Sequence, residues 1–365
     1  MVGGGPAGLA TAIGARLAGL EVAVLDRFQP VIDKACGEGL MPDAVARLRE
    51  IGVELGPGES FPFRGIRYVD GDLVAEGVFP QAGGLGVRRL RLHEALVRRA
   101  EEAGVSLLWG LTARGLPAGP PYAGIETDQG LIRARWIAGA DGLLSRVRRW
   151  AGLEAEPAKL RRFGVRRHYA MPAWTDFVEV HWGPSCEAYV TPLGPEQIGI
   201  AMLWSGGPSD FDDLLGRFPA LRDRVAGAPV ASRDRGAGPL LQRVRGVHRG
   251  NLALVGDAAG YLDAITGEGM AVAFHQAAAL VEAVRRDDLS AYAAAHRRIG
   301  RLPDTVTSLV LALERRSWLR RRALRALAAE PALFSRLLGI HGRTLPARRL
   351  GLDGALRLAW RLVAA

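Results

Sequence analysis

Apolar and polar positions follow helical and strand-like periods from the first residues of the chain. Residues 6–19 are rich in small apolar residues with helical spacing, and residues 21–25 (EVAVL) form a short apolar run that is typical of a buried strand. Residues 93–103 predict an amphipathic helix that ends at Gly104, followed by a strand at residues 105–109. The pattern therefore predicts an N-terminal unit in which strands alternate with helices.

The rest of the chain shows two further patterns. Strands with a period of two, expected to pair antiparallel, are predicted at residues 64–70, 177–182 and 198–204. Residues 251–255 form an apolar run before a glycine-rich loop, and residues 269–285 have the spacing of a long helix. Beyond Leu302 the apolar spacing is helical again and arginines cluster, so the chain is expected to end in helices.

Composition places the chain among ordinary globular proteins. Of its 365 residues, 48% are hydrophobic and 24% are charged, and no apolar stretch reaches the roughly 18 residues that can span a membrane. The first residues show no basic segment followed by an apolar one, so no signal peptide is expected. Cys36 and Cys186 are the only cysteines, which excludes a disulfide framework and favours a cytoplasmic location.

The formal net charge of +10 does not by itself indicate a nucleic-acid site. Lys34 and Lys159 are the only lysines among 48 basic residues, so arginine dominates, and the arginines are spread along the chain. A general preference for arginine explains this distribution better than a nucleic-acid-binding patch, and we expect no nucleic-acid partner. A cationic field of this kind still attracts anionic cofactors or a lipid surface.

A glycine-rich turn stands at the N-terminus. Gly3, Gly5 and Gly8 form a G-x-G-x-x-G pattern, with Pro6 and Ala7 between them, directly before the first helix. The first glycine permits a tight turn, the second lets the backbone approach a pyrophosphate, and the third lets helix and strand pack closely. The helix N-terminus adds unpaired N–H groups that favour an anion. The turn therefore predicts a dinucleotide site.

The strands on either side of this first helix differ in length. The strand after it leads into Asp26 and Arg27, and Asp26 lies 23 residues beyond Gly3. A carboxylate at this place is expected to accept hydrogen bonds from ribose hydroxyls. The strand that leads into the turn contains only Met1 and Val2, fewer residues than a central strand needs. We therefore expect the native chain to begin upstream of Met1.

Two acidic glycine motifs occur later in the chain. Asp141 and Gly142 follow a strand-like run, residues 256–260 read GDAAG, and residues 266–270 read TGEGM. Together with the N-terminal turn, these motifs occur in an order that is typical of flavoproteins with the para-hydroxybenzoate hydroxylase fold. The chain resembles that superfamily over roughly residues 1–300.

The resemblance implies that FAD is bound by residues from all of these motifs. Asp257 would hold a ribityl hydroxyl, Asp141 would order the cofactor loop, and Arg148 would order a neighbouring strand. Gly267 and Gly269 would let backbone N–H groups reach the pyrophosphate or the flavin O2 atom, with a helix N-terminus behind them to stabilise a reduced, anionic flavin. The expected cofactor site also includes Gly256, Glu268 and Met270.

Within that superfamily the chain resembles the geranylgeranyl reductase family. Residues 33–40 (DKACGEGL) match that family's K-x-C-G-x-G segment, and residues 256–269 match its GDAAG and TGEG pattern. Arg89 matches the arginine of an R-x-x-F-D-x-x-L cofactor helix, in which His93 replaces the acid. The resemblance implies that Arg89 contacts the cofactor.

Two departures from known patterns concern the substrate. In the family's Y-x-W-x-F-P substrate segment, Glu187, Tyr189 and Thr191 stand in the aromatic positions and only the proline is kept. Hydroxylases of the superfamily often have a histidine after GDAA and a proline four residues later, and this chain has Gly260 and Ala264 there. The first departure argues against an isoprenoid substrate and the second against a hydroxylase, so both reactions stay open.

Cys36 and Gly37 lie in the loop that, in the resembling family, passes close to the isoalloxazine ring. Both residues are therefore expected to contact the cofactor. The Cys36 thiol is the candidate catalytic group, because it can donate a proton or shape the pocket. The alternative is that Cys36 is a buried small hydrophobic residue, as free cysteines usually are. Cys186 is expected to be structural.

The expected fold is α/β and has three parts. The first is a Rossmann-like FAD/NAD(P)-binding domain built from residues 1–55, 87–150 and 240–300. The second is an inserted antiparallel or mixed β-sheet domain for the substrate, built from residues 56–86 and 151–239. The third is a helical C-terminal cap, residues 301–365.

The resemblance implies an FAD-dependent oxidoreductase that delivers hydride to a double bond of an apolar substrate, either lipid or isoprenoid or polyketide-like. The alternatives are an aromatic or polyketide monooxygenase that uses NAD(P)H and oxygen, and a flavin-binding redox module without turnover. Because no second G-x-G-x-x-G is present, NAD(P)H is expected to bind only transiently. The cap either covers the substrate cavity with its arginines in solvent or contacts a membrane surface or a carrier protein.

Overall fold

The computed structural model describes residues 1–157 and 161–351, so residues 352–365 of the expected cap lie outside the described residues. In chain order the helices are α1 (Pro6–Leu17), α2 (Pro42–Glu50), α3 (Arg89–Glu102), α4 (Arg146–Trp150), α5 (Phe211–Leu215), α6 (Pro219–Val225), α7 (Gly269–Arg285), α8 (Leu289–Glu314), α9 (Ser317–Ala329) and α10 (Pro331–His341). The strands are β1 (Ala23–Asp26), β2 (Gly39–Leu40), β3 (Phe61–Phe63), β4 (Gly65–Asp70), β5 (Leu73–Val78), β6 (Gly84–Gly86), β7 (Ser106–Trp109), β8 (Ala113–Gly115), β9 (Gly124–Thr127), β10 (Gly130–Arg133), β11 (Ile137–Gly139), β12 (Arg162–Tyr169), β13 (Phe177–Gly183), β14 (Cys186–Gly194), β15 (Gln197–Ser205), β16 (Arg235–Ala237), β17 (His248–Arg249) and β18 (Leu252–Leu254).

A parallel sheet carries the N-terminal turn, and Val2 occupies its centre. β1 pairs with β7, and β11 pairs with β18, in both cases parallel. Val2 bridges Leu25 on one side and Gly139 on the other. Its N–H donates to the Ala138 carbonyl at 2.8 Å, and Ala140 N–H donates to the Val2 carbonyl at 2.7 Å. The central position that leads into the glycine turn is therefore filled by a single bridging residue.

Helices pack closely against this sheet because their facing residues are small or aliphatic. Leu9 of α1, Leu96 of α3 and Phe274 of α7 belong to one buried apolar cluster. Leu254 of β18 and Tyr292 of α8 belong to a second one, and the Tyr292 hydroxyl donates to the Leu254 carbonyl at 2.6 Å. The two clusters fix the carboxyl ends of the parallel strands, where ligands of such sheets bind.

A second, seven-stranded sheet has the order β16-β12-β15-β14-β13-β4-β5. All of its neighbouring pairs are antiparallel except β4 and β13, which are parallel. The prediction of antiparallel pairing is therefore wrong for the pair that β4 and β13 form, although each of them is antiparallel to its other neighbour. Residues 71–176 connect them, which is long enough for the crossover that a parallel pair requires.

The two faces of the seven-stranded sheet have different neighbours. On one face, Met202 and Cys186 pack with Phe211 and Leu221 of α5 and α6. On the other face, Trp182 packs with side chains from the loop before α7 and from the C-terminal helices. The second face therefore lies between the parallel-sheet domain and the cap.

The C-terminal helices are less exposed than a solvent-facing cap would be. α8 runs from Leu289 to Glu314, so the expected boundary at residue 300 falls inside this helix. Arg320 of α9 is only 6% exposed and donates to the Asp70 carboxylate at 2.8 Å. The interpretation that the cap arginines face solvent is therefore wrong for Arg320, because Asp70 neutralises it inside the protein. Within residues 1–157 and 161–351, no helix is both long and apolar enough to cross a membrane.

Candidate active site

The N-terminal turn presents its backbone to one open side. Gly3 has a φ of +109°, and a Cβ there would lie 2.4 Å from the Ala140 oxygen. A Cβ on Gly8 would lie 1.9 Å from the Gly3 oxygen, so both positions require glycine. At Gly5 the nearest atom to an added Cβ is an Arg89 guanidinium nitrogen at 3.9 Å. The second glycine of the motif therefore faces space that a phosphate group can fill.

Two side chains hold this turn from behind. Asp26 accepts the Gly4 N–H at 2.8 Å and the Phe28 N–H at 2.9 Å. The fully buried His93 has its Nε2 atom 2.9 Å from the Gly4 carbonyl, and burial lowers the pKa of His93 to about 4. The ring is thus neutral, and its Nε2–H donates to this carbonyl. Asp26 therefore holds the turn in shape. Its hydrogen bonds to the ribose hydroxyls of the cofactor stay a prediction.

Arg89 is a buried cation beside the open side of the turn. It is only 5% exposed, and its Nη1 atom has no hydrogen-bond partner among the described residues. Burial lowers the pKa of this guanidinium, with opposing contributions from Cys36 and Asp33. A buried guanidinium with an unpaired N–H fits an anionic ligand, because charge-assisted hydrogen bonds to phosphate offset the cost of desolvation. The residue therefore fits the expected pyrophosphate.

Hydrogen bonds connect the motif at Asp141 to the GDAAG motif at residues 256–260. Asp141 accepts the Arg146 N–H at 2.7 Å and the Ser145 hydroxyl, and therefore caps α4. The buried Arg148 of α4 donates to the Ala258 carbonyl at 3.2 Å. Asp141 thus orders the loop between β11 and α4, and Arg148 connects this loop to the turn after β18.

Asp257 follows β18 in a 3-10 turn that spans Gly256–Ala259. Burial raises the pKa of Asp257, while Lys34, Arg89 and Arg148 favour its charged form. Within the described part of the chain, no group donates a hydrogen bond to this carboxylate. Its acceptor atoms are therefore available to a ligand hydroxyl, as the ribityl role requires.

Glycines line the space in front of the α7 N-terminus. No heavy atom lies within 4 Å of a Cβ added to Gly267 or to Gly37. Gly267 also has a φ of +71°, which favours glycine. A Cβ on Gly269 would lie 3.3 Å from the Tyr261 ring, so this position is tight. The open backbone at Gly37 and Gly267, with the positive end of the α7 dipole, fits an anionic or hydrogen-bonding cofactor edge.

Three of the predicted cofactor residues have side chains that contact other protein groups, and their contact with the cofactor stays a prediction. Glu268 is 4% exposed, and its Oε2 atom lies 3.2 Å from the His341 Nδ1 atom of α10. Burial raises the pKa of Glu268 to about 8 and lowers that of His341 to about 4, so both are uncharged at neutral pH. Met270 packs against the cluster that contains α1. The exposed Arg27 places its guanidinium 4.5 Å from the Phe28 ring centroid.

Glu38 anchors the loop at residues 33–40 from inside. It is 2% exposed and accepts the Arg89 N–H at 2.7 Å and the His168 Nε2–H at 2.5 Å. The His168 Nδ1 atom lies 2.7 Å from the Ser232 hydroxyl, and burial lowers the pKa of His168. The sequence did not predict this pair, because its members are 130 residues apart and neither has metal-ligand spacing.

Cys36 lies in the same loop and is half-buried. Its sulfur accepts the Glu38 N–H at 3.3 Å. Burial, assisted by the Glu38 charge, raises the pKa of the Cys36 thiol, while Arg89 opposes this effect. Among the described residues Cys36 joins none of the buried apolar clusters, whereas Cys186 is fully buried in one. The thiol is therefore neutral at neutral pH, and its contact with the flavin ring stays a prediction.

Comparison with known proteins agrees with this geometry. A family model described as an FAD binding domain matches residues 1–183. Digeranylgeranylglycerophospholipid reductase 1 of Methanopyrus kandleri is 30% identical over 318 residues, which cover 80% of this chain and 82% of that protein. Menaquinone reductase of Mycobacterium tuberculosis is 29% identical over 293 residues, which cover 74% of this chain and 72% of that protein. The chain belongs to the geranylgeranyl reductase-like FAD-dependent oxidoreductases.

The fold of this flavoprotein is shared more widely. The solved structure of a flavin-dependent brominase superposes with a TM-score of 0.82 at 16% identity, covering 100% of this chain and 97% of that chain. This likeness confirms the predicted α/β flavoprotein fold. FAD as cofactor and an FAD-dependent oxidoreductase as the enzyme class are confirmed by the family. Gly5, Arg89, Asp257 and the open backbone at Gly267 would hold the cofactor.

Proposed function

We propose that this flavoprotein reduces a carbon–carbon double bond in an apolar substrate. The observation that carries the proposal is an apolar and partly aromatic wall beside the loop before α7. The wall joins one face of the seven-stranded sheet to this loop and to the C-terminal helices. Its members include Tyr68, Trp182, Tyr189, Tyr261, Ile265 and Phe334. We call this set the aromatic wall.

Specific contacts join the aromatic wall to the cofactor loop and to the cap. The Tyr189 hydroxyl donates to the Ile265 carbonyl at 2.8 Å. The rings of Tyr68 and Phe334 stack with centroids 5.6 Å apart. An apolar surface closed by helices excludes water, which strengthens the electrostatic interactions inside the site and limits the leakage of protons.

Two lines of evidence support reduction over hydroxylation. The relatives found in M. kandleri and M. tuberculosis are both named as reductases, one of a digeranylgeranylglycerophospholipid and one of menaquinone. In addition, Gly260 and Ala264 replace the histidine and proline that are frequent in the hydroxylases. A prenylated or otherwise apolar alkene is therefore the proposed substrate class.

Reduction of a double bond requires a hydride and a proton. When bound and reduced, FAD supplies the hydride, which carries two electrons to one carbon. We propose that the Cys36 thiol donates the proton to the other carbon, since burial keeps it protonated. The resulting thiolate lies within electrostatic reach of Arg89 and is reprotonated from solvent.

The source of electrons and the route of the substrate are also part of the proposal. NAD(P)H would reduce the flavin in a transient complex. Leu309 and Trp318 are each 62% exposed, and the exposed Arg315 and Arg316 lie between them in sequence. An exposed apolar and basic surface of this kind supports entry of a lipophilic substrate from an anionic membrane surface or from a carrier protein.

The experiment is a reduction and reoxidation cycle of the FAD-loaded protein. NADPH reduces the flavin without oxygen, and menaquinone or an unsaturated archaeal-type lipid is then added. We expect the flavin to reoxidise anaerobically and the product to gain two hydrogen atoms, as measured by mass spectrometry. Reoxidation only in air, with oxygen incorporated into the product, would assign a monooxygenase instead. If none of the added substrates reoxidises the reduced flavin without oxygen, and no product forms in air, the protein would be a flavin-binding module.

Replacement of the thiol tests the proton donor. Cys36→Ala is expected to slow anaerobic reoxidation by the substrate about 100-fold or more, because a positioned general acid contributes at least that much. Reduction by NADPH is expected to be unchanged. Cys186→Ala serves as the matched control, since Cys186 lies in the core on the other face of the sheet. Equal reoxidation rates in both variants would remove Cys36 from the reaction.

A further inference from the structure

Two polar atoms on the substrate face of the sheet are buried without a partner. Trp182 of β13 and Glu187 of β14 are direct cross-strand neighbours, so their side chains stand next to each other on one face. Trp182 is 7% exposed and Glu187 is fully buried. The Trp182 Nε1 and Glu187 Oε1 atoms have no hydrogen-bond partner among the described residues. Buried polar atoms are rarely left unpaired, and each unpaired one is destabilising, so the pair requires an explanation.

The position of this pair along the strand places it within the aromatic wall. Tyr189 and Thr191 follow Glu187 on the same face and bond to the Ile265 and Gly37 carbonyls, both at 2.8 Å. A strand rises about 3.3 Å per residue, so Glu187 lies about 13 Å from Thr191 along the strand. The pair therefore stands at the end of the wall that is distant from the Cys36 loop.

The charges around Glu187 restrict what can bind there. Its Oε2 atom is paired with the buried Arg162 at 2.7 Å, and Arg162 also meets Asp263 at 2.9 Å and Glu314 at 3.7 Å. Three carboxylates thus share one guanidinium, and burial raises the pKa of Glu187 to about 7. A phosphate or carboxylate of the substrate would be repelled here, whereas a hydrogen-bond donor would be favoured.

We infer that Trp182 and Glu187 bind a hydroxyl group of the substrate at the distal end of the aromatic wall. A hydroxyl satisfies both atoms with one oxygen, because it accepts the Trp182 Nε1–H and donates to the Glu187 Oε1 atom. A carbonyl cannot donate, and an ammonium group cannot accept. The inference rests on the proposed function, since it takes the aromatic wall as the substrate site, and it narrows the substrate class to apolar alcohols or phenols.

The test is equilibrium dialysis of radiolabelled farnesol and farnesyl methyl ether against the FAD-loaded protein. The ether accepts a hydrogen bond but cannot donate one. We expect farnesol to bind about tenfold more tightly than the ether, because the ether leaves the buried Glu187 Oε1 atom without a hydrogen-bond donor. Equal affinities, or tighter binding of farnesal or farnesylamine than of farnesol, would overturn the inference.

Two variants separate the two contacts. Glu187→Gln turns its amide N–H toward the ligand while its oxygen pairs with Arg162, so the preference for alcohol over ether is expected to fall to near one. Trp182→Phe keeps a ring but removes the donor, so both probes are expected to bind about tenfold more weakly. Trp204→Phe is the control, because Trp204 lies on the opposite face and its Nε1–H donates to the Gly207 carbonyl at 2.9 Å.

Bound FAD after gel filtration reports whether each variant folds. If Glu187→Gln loses its flavin, Trp182→Phe and Trp204→Phe still decide the outcome, since equal weakening in both would reject the hydroxyl site. The assay needs no turnover. A protein that prefers farnesol but reduces no alkene therefore refutes the proposed reaction alone. A protein that reduces alkenes but does not prefer the alcohol refutes the hydroxyl site alone.

Discussion

The burial of His93 behind the glycine turn predicts a specific loss of stability in acid. His93 is fully buried, and its Nε2–H donates to the Gly4 carbonyl. Protonation of the other nitrogen would keep this hydrogen bond but would place a charge inside the protein. Its pKa in the folded protein is about 4, against 6.5 for an ordinary histidine. Because the folded pKa is the lower one, the stabilising contribution is complete above pH 6.5 and is lost as the pH falls toward 4.

The size of this effect follows from the two pKa values of His93. The difference between them corresponds to a contribution of about 3 kcal/mol to the free energy of unfolding. About 2 kcal/mol of this contribution is lost between pH 7 and pH 5. The His93→Gln variant keeps an N–H donor for the Gly4 carbonyl but does not titrate. Between pH 7 and pH 5, the free energy of unfolding should fall in both proteins. The decrease should be about 2 kcal/mol smaller in His93→Gln than in the parent protein.

Urea unfolding at pH 7 and pH 5, with FAD in excess and tryptophan fluorescence as the signal, measures this difference. Glu94→Gln on the same helix is the control, since Glu94 forms only an exposed pair with Arg91, and it should follow the parent protein within about 0.5 kcal/mol. If His93→Gln loses as much stability as the parent protein, the ring is not held neutral and the role assigned to it at the turn is wrong.

Three further predictions concern cofactor binding and access. Arg89→Ala should weaken FAD binding about ten- to a hundredfold, whereas Arg91→Ala should not, as isothermal titration of the apoprotein will show. Asp257→Ala should release most of the FAD, with a similar loss of affinity, and full retention of flavin absorbance after gel filtration would count against the ribityl contact. Trp318→Ala should reduce co-sedimentation with anionic vesicles at low salt, and if the parent protein does not sediment with them, the proposed access from a membrane fails.

Local sequence signals were sufficient to predict the strand–turn–helix at the N-terminus and the helix α7. The G-x-G-x-x-G spacing predicted a strand–turn–helix, and α1 begins at Pro6 directly after that turn. This prediction succeeds because steric limits at Gly3 and Gly8 act within a few residues of the chain. The helix at Gly269–Arg285 was predicted at its observed limits for a similar reason, since glycines precede it and apolar spacing runs through it.

Contacts between distant segments could not be predicted in the same way. His93 was identified only as a replacement for an acid, although it holds the Gly4 carbonyl from 89 residues away. No local pattern singles out His168, yet it pairs with Glu38 inside the protein. Periodicity describes which face of an element is apolar, but it does not identify the partner of a buried polar side chain.

Buried polar contacts also fix the position of the C-terminal helices against the rest of the protein. Glu314 meets Arg162 on the sheet, and Arg320 donates to Asp70. Apolar packing alone would allow these helices to settle in several positions of similar energy, whereas each buried polar pair is favourable only in one arrangement. Under the proposed function, a substrate that enters beneath the cap and separates one of these pairs would need to supply new partners, because breaking a buried pair is strongly destabilising. A substrate hydroxyl at Trp182 and Glu187 would supply such a partner, so the same polar groups that fix the cap would also select which apolar molecule it closes over.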